Sequence, residues 1–308
     1  LVDQAHATDL RAGKSAAMNL ARRWVTGDIL INVDCDCSFQ RHAIRNLLPQ
    51  FDDPAVGAVS GNILVRNEHA SLIATLQSVE YLISMSLAKT AQEMFDQVTC
   101  VSGAFSAFRV TALDEVSGVD AGSGEDFDLT LRLRKADWRI GFARDAICYT
   151  DVPVKLQALT RQRFRWERDA LRLRYRKHGD LMNPLSRTFR FSELVHEIEF
   201  IVFHVVAAAA LPVYLIWLFA TYGDLAPLLL ALAFAVSTLL ELATFLIAAY
   251  VTPEAHGLRL LAYTPAFGLY QGFLMRFVRL GAYLDEWLFN SSARDNYVPA
   301  KVQILRRW

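Results

Sequence analysis

Two apolar runs constrain this chain most. "LVHEIEFIVFHVVAAAALPVYLIWLFA" occupies residues 194–220, and "LAPLLLALAFAVSTLLELATFLIAAY" occupies residues 225–250. About 20 consecutive apolar residues cross the hydrocarbon core of a bilayer, and each run exceeds that length. Tyr222, Gly223 and Asp224 make a tight turn between them, so the runs read as a membrane hairpin. The competing reading is a pair of buried core helices in a soluble protein. Helices this long and this apolar argue against it. A third apolar stretch, residues 258–275, is shorter and carries Arg259 and Gln271. It either crosses or lies in the interface.

Before Phe191 the pattern changes. Short β-type runs at 29–34, 56–64, 140–142 and 147–149 alternate with amphipathic helical runs at 14–24, 41–48, 72–89 and 125–136. That alternation predicts an α/β layered domain. Formal net charge is zero, so only the distribution of charge is informative. Residues 155–190 hold eleven Lys or Arg against Glu167, Asp169 and Asp180. Such a block suits phosphate or an anionic membrane surface, and no nucleic-acid partner is expected. Lying just before the first span, it marks the cytoplasmic side. Two spans return the tail to the cytosol. Three would carry Arg294, Lys301, Arg306 and Arg307 outside, so the third stretch is expected to be interfacial or re-entrant. The expected layout is a cytoplasmic domain over 1–190, transmembrane and interfacial helices over 191–285, and a basic cytoplasmic tail over 286–308. The chain opens on Leu1 in polar sequence without a signal peptide and reads as a fragment. Cys35, Cys37, Cys100 and Cys148 lack C-x-x-C spacing, which fits a reducing cytosol.

Five short stretches are candidates for chemistry. "ILINVDCDCS", residues 29–38, ends in two carboxylates interleaved with two thiols. If the strand continues, Asp34 and Asp36 face one way and Cys35 and Cys37 the other. Carboxylates at the carboxyl end of a strand lie where open α/β sheets bind ligands. Their hard oxygens suit Mg²⁺ or Mn²⁺ and a diphosphate, whereas a thiolate site lacks spaced partners. The alternative is a solvated turn. In "SGEDFDLTLRLRKADW", residues 123–138, Glu125 and Asp126 sit at a loop–helix junction. They are either an acidic helix start or a general base for an attacking hydroxyl. In "QRFRW", residues 162–166, Gln162, Arg165 and Trp166 share one helix face. That face offers an amide, a guanidinium fork for phosphate and an aromatic plate for a sugar, or else an amphipathic helix anchored in the membrane surface. Gly13 and Lys14 open a helix that suits a nucleotide or is an ordinary helix start. "VSGAFSAFR", residues 101–109, places Ser102 and Gly103 where a ligand approaches the backbone, or in a plain turn.

Taken in chain order (the Gly13-Lys14 helix, Asp34-x-Asp36, the 101–109 loop, Glu125-Asp126, Gln162-x-x-Arg165-Trp166, then the apolar runs), the stretches resemble the processive inverting glycosyltransferases of family two, such as cellulose, hyaluronan, chitin-oligosaccharide and poly-N-acetylglucosamine synthases. The resemblance runs from Arg11 to about Tyr250. It implies a GT-A type nucleotide-sugar domain followed by membrane helices, using Mg²⁺ or Mn²⁺. Asp126 would be the catalytic base. Lys14, Asp34, Asp36, Gln162 and Arg165 would bind the donor, with Asp36 the metal ligand. Ser102, Gly103, Glu125 and Trp166 would bind the acceptor. The implied reaction moves a sugar from UDP-GlcNAc or UDP-glucose to a growing β-linked glycan, with inversion. The implied setting is a bacterial inner membrane, multi-pass, with accessory export subunits possible. The rivals are transfer of one sugar to a polyprenyl phosphate, and a non-catalytic export subunit. Family members begin with a strand and helix that carry an aspartate for the nucleotide base, and nothing before Arg11 supplies them. Residues 99–104 read "TCVSGA", closer to the poly-N-acetylglucosamine and nodulation branches than to cellulose synthase.

Overall fold

A computed structural model describes residues 13–120, 122–252 and 258–294. Arg11, Lys301, Arg306 and Arg307 lie outside the described residues, as does most of the basic tail. Five strands form one mixed sheet: β1 Ile29–Val33, β2 Ser38–Phe39, β3 Val56–Val65, β4 Phe105–Arg109 and β5 Arg139–Thr150, in the order β1-β4-β3-β5-β2. Only β3 and β5 run parallel; the other pairs are antiparallel. All ten residues of β3 are buried, as expected of a central strand covered on both faces.

The helices before the membrane-like region are α1 Gly13–Arg22, α2 Ala43–Leu47, α3 Leu72–Tyr81, α4 Ala88–Met94, α5 Val110–Glu115, α6 Glu125–Lys135 and α7 Leu156–Leu171. A π-helical turn, Leu82–Leu87, joins α3 to α4, so the expected helix over 72–89 runs on to Met94. The expected strands at 140–142 and 147–149 are one strand. Its register against β3 jumps between Gly61 and Asn62, and that bulge hides its continuity from a period-two reading.

Beyond Phe191 come α8 Phe191–Phe200, a π turn Ile201–Val206, α9 Ala207–Tyr222 and α10 Ala226–Val251. Gly223 adopts φ +49°, where glycine is favoured, and interrupts the helix between α9 and α10. At 1.5 Å per residue, Phe191–Tyr222 is about 48 Å long and α10 about 39 Å, both longer than the roughly 30 Å hydrocarbon core. Within the run Phe191–Val251, the most apolar window is 17% buried, far less than a core helix of a soluble domain, which suggests membrane association. The third stretch forms a 3-10 turn, then α11 Thr264–Leu269, a π turn and α12 Arg276–Phe289. Leu260, Phe267, Tyr270 and Met275 pack into one core cluster with Leu64, Val79 and Ile147 of the domain and Phe245 of α10. Phe277, Leu284, Trp287 and Leu288 are exposed on its outer side.

The basic block is largely neutralised. Arg163, Arg168, Arg172, Arg174, Arg176, Lys177 and Arg190 each form an ion pair. Their partners are Glu80, Asp285, Asp169, Glu197, Glu286, Asp120 and Asp137, and all but Asp169 lie outside residues 155–190. Less of the block is therefore free to meet phosphate or an anionic surface than its sequence suggests: folding supplies acids that a linear window does not count.

Candidate active site

β1 ends at Val33, where its pairing partner is Phe105. The Asp34 N–H still donates to the Ala104 carbonyl (3.1 Å), and the Cys37 N–H then closes a turn onto the Asp34 carbonyl (3.2 Å). The alternation expected of Asp34 to Cys37 therefore stops at the turn. Cys35 is exposed rather than packed, whereas Cys148 is buried. Asp36 is exposed. Its backbone carbonyl accepts from Arg66 Nη2 (3.0 Å), while Arg66 Nη1 donates to Ser38 Oγ (3.1 Å). Arg66 is itself forked on Asp151 at 2.9 and 2.6 Å.

Lys14 on α1 reaches this turn. Its Nζ donates to Asp34 Oδ1 at 2.6 Å and to the Gly103 carbonyl at 2.7 Å, and lies 3.8 Å from Glu125 Oε1. Asn32 Nδ2 donates to the same carbonyl at 2.7 Å. On its other side, the Gly103 N–H donates to Asp126 Oδ2 at 3.2 Å. A side chain at 103 would put Cβ 3.2 Å from that oxygen and 3.4 Å from Lys14 Nζ, so either group would have to give by a few tenths of an ångström. Lys14, Asp34, Gly103, Glu125 and Asp126 thus meet around one residue of the 101–104 loop.

Glu125 and Asp126 open α6, with Asp128 in the same turn. The helix dipole favours carboxylates there. Gly124 precedes them at φ +73°, and a Cβ there would run into Leu173 and Asp169. The Phe127 N–H donates to Asp126 Oδ1 (2.8 Å). Burial, then the neighbouring Asp126 charge, pushes the Glu125 carboxyl above its ordinary range, with Lys14 opposing. The Ser102 hydroxyl does not face this site. It accepts from Lys89 and lies 3.2 Å from Ser60 Oγ in the core, because the buried amine draws it inward.

On α7, Arg165 Nη1 donates to Ser123 Oγ at 3.2 Å, so this residue meets the loop before Glu125. The Gln162 amide oxygen is buried without a hydrogen-bond partner among the described residues. The Trp166 ring lies under the Arg163 guanidinium at 4.4 Å. It borders a cleft of about 340 Å³ shared with Glu167, Arg174, His196, Phe200 and His204. Trp166 and Gln162 are not among the residues that meet at Gly103. Sequence reading missed Asn32 and Arg66. Asn32 carried a signal, a lone amide inside an apolar strand; Arg66 carried none.

Among the described residues no three His, Cys, Asp or Glu cluster as a metal cage. Mg²⁺ and Mn²⁺ on a nucleotide diphosphate need only one or two protein carboxylates, the rest being phosphate and water oxygens. The exposed carboxylate of Asp36, at the carboxyl end of a strand, fits that donor set.

A mixed sheet thus presents a carboxylate turn at one strand end, facing an acidic helix start across the Gly103 loop. The family model described as glycosyl transferase family group 2 matches residues 29–252, and the chain belongs to that family. It is 32% identical over 169 residues to an N-acetylglucosaminyltransferase of Rhizobium sp. (strain N33), covering 52% of this chain and 38% of that protein. It is 31% identical over 184 residues to an N-acetylglucosaminyltransferase of Azorhizobium caulinodans, covering 55% and 46%. The chain thus spans less than half the length of these relatives. Among solved structures it is similar to the mannosyltransferase PcManGT from Pyrobaculum calidifontis in complex with GDP-Man and Mn²⁺, with a TM-score of 0.57 and 20% identity over 90% of this chain and 67% of that one. That likeness shows a shared fold.

Proposed function

We propose that the chain is the catalytic part of a membrane-embedded, inverting glycosyltransferase that moves a sugar from a UDP-sugar to the end of a growing β-linked glycan. The observation that carries the reading is Gly103, whose carbonyl takes Lys14 and Asn32 while its N–H reaches Asp126. Donor-side and acceptor-side groups are thereby held by the backbone of one residue, through the two peptide units that flank its α-carbon. Asp126 is the base. An acceptor hydroxyl attacks the anomeric carbon, a new C–O bond forms, the bond to the diphosphate oxygen breaks, and the hydroxyl proton passes to Asp126. Lys14 and Asp34 bind the donor, and Gln162 and Arg165 the diphosphate. Asp36 would hold Mg²⁺ or Mn²⁺, which supplies neutralisation of the leaving diphosphate. Glu125, the backbone at Gly103 and the Trp166 ring flank the acceptor, and the cleft beside Trp166 has room for a sugar. The N-acetylglucosaminyltransferase relatives favour UDP-GlcNAc as donor.

The test is nucleotide release by the full-length protein in lipid with Mg²⁺ or Mn²⁺. The donors are UDP-GlcNAc, UDP-glucose and, given the mannosyltransferase neighbour, GDP-mannose. Release with one UDP-sugar, a polymeric product and a roughly 100- to 10,000-fold loss in Asp126→Asn are expected. A single lipid-linked sugar would replace the polymer reading. An active Asp126→Asn would remove the base assignment.

A further inference from the structure

Lys89 on α4 is 6% exposed, and among the described residues no carboxylate forms an ion pair with it. Its Nζ donates to Ser60 Oγ at 2.9 Å and to Ser102 Oγ. Ser60 lies on the central strand β3 and is fully buried. The two serines are bonded to each other as well: the Ser102 N–H donates to Ser60 Oγ at 3.2 Å, and the hydroxyls lie 3.2 Å apart. An unpaired buried amine is expensive for a fold, and an apolar side chain of similar length avoids that desolvation. The expense therefore needs another return, and both contacts go to one feature. Ser102 is the residue before Gly103, and Gly103 binds Asp126, Lys14 and Asn32.

We propose that Lys89 is a positioning residue for the transfer reaction: it fastens Ser102 to the central strand and thereby fixes the Gly103 peptide against Asp126 and Lys14. The proposal rests on the reading of Asp126 as the base. The charged and titratable groups facing Asp126 are Lys14 on α1, Asp34 at the end of β1, Glu125 beside it, Cys100 in the loop and Lys89 on α4. Burial lowers the Lys89 pKa, with Cys100 and Asp126 opposing.

The experiment compares Lys89→Met and Ser102→Ala in the full-length protein in lipid. It reads peptide-resolved deuterium exchange, thermal midpoint, and kcat and KM with UDP-GlcNAc. In Lys89→Met, amides over 100–104 should exchange on the order of tenfold faster, with the rest of the domain unchanged and the midpoint equal or higher. The kcat should fall at least about tenfold with KM for donor little altered. Ser102→Ala should reproduce both the faster exchange and the fall in kcat, because it cuts the same tie from the other end. Unchanged exchange over 100–104 in Lys89→Met overturns the proposal. So does a fall in midpoint with faster exchange everywhere, which would make Lys89 a filler of the core. An active Asp126→Asn would end the base assignment separately, since the exchange result does not depend on turnover.

Discussion

Asp126 receives main-chain N–H groups on both carboxylate oxygens, from Phe127 and from Gly103, so its position is set by backbone rather than by a mobile side chain. Glu125 beside it is 18% exposed and holds its proton above the ordinary carboxylate range because of burial and the Asp126 charge. Glu125→Gln keeps the side-chain length and removes the carboxyl group, so UDP release should fall where that group flanks the acceptor; an unaltered rate would remove Glu125 from the site. Arg66 acts on the other side, through the Asp36 carbonyl and Ser38. Its ion pair with Asp151 is solvent-exposed, which makes it a weak contributor to stability. Arg66→Gln should nevertheless weaken Mn²⁺ binding in the presence of UDP roughly tenfold, as outer-shell losses do. Manganese electron-spin titration measures that directly, and an unaltered affinity would sink the assignment.

At the scale of elements, the start of α6 is the most constrained piece of the domain. Gly124 sits at φ +73°, and a Cβ there would lie 2.9 Å from Leu173 Cδ1. Gly124→Ala should cost about 1–3 kcal/mol and displace Glu125 and Asp126; a melting curve and UDP release test both. One turn later, Asp128 is fully buried against His178 and Lys177, each at 2.8 Å. Burial raises its pKa, but the His178 hydrogen bond and Lys177 charge prevail and leave it lowered. Its stabilisation is present above the ordinary aspartate pKa of 3.8 and disappears as the pH falls through the lowered value. Asp128→Asn should destabilise by about 3 kcal/mol near neutrality, with the deficit shrinking below about pH 4. The acidic turn of α6 was legible because carboxylates after glycines at a helix start carry a local signal. The course of β5 was not: its bulge interrupts the alternation, and only pairing with β3 shows one strand. The ion pairs of residues 155–190 were hidden for a related reason, since Asp120, Glu80 and Glu286 arrive by long-range folding.

For the whole molecule, the apolar character read from residues 194–250 reappears as exposed surface. Ile216 is 72% exposed, and Leu239 and Leu240 about two-thirds. Apolar area of this extent marks an interaction surface. The protein should pellet with membranes, resist alkaline carbonate and require detergent for extraction; recovery in the aqueous phase after ultracentrifugation would contradict this. The docking of residues 258–289 onto the domain was only half legible. Arg259 and Gln271 argued against a full crossing, but nothing local announced that Phe267 and Tyr270 share a core with β3 and α3. Two part-buried carboxylates complete that joint. Arg163 and Tyr270 converge on Glu80, and Arg279 and Tyr283 converge on Glu167. Helix α7, which carries Trp166, is therefore braced on both flanks, against α3 through Glu80 and against α12 through Glu167. If the apolar helices enter a bilayer as proposed, strain from a thinner or thicker membrane reaches α7 through these two joints. Acyl-chain length then becomes a mechanical input to the proposed site, and turnover in vesicles of graded thickness should pass through an optimum.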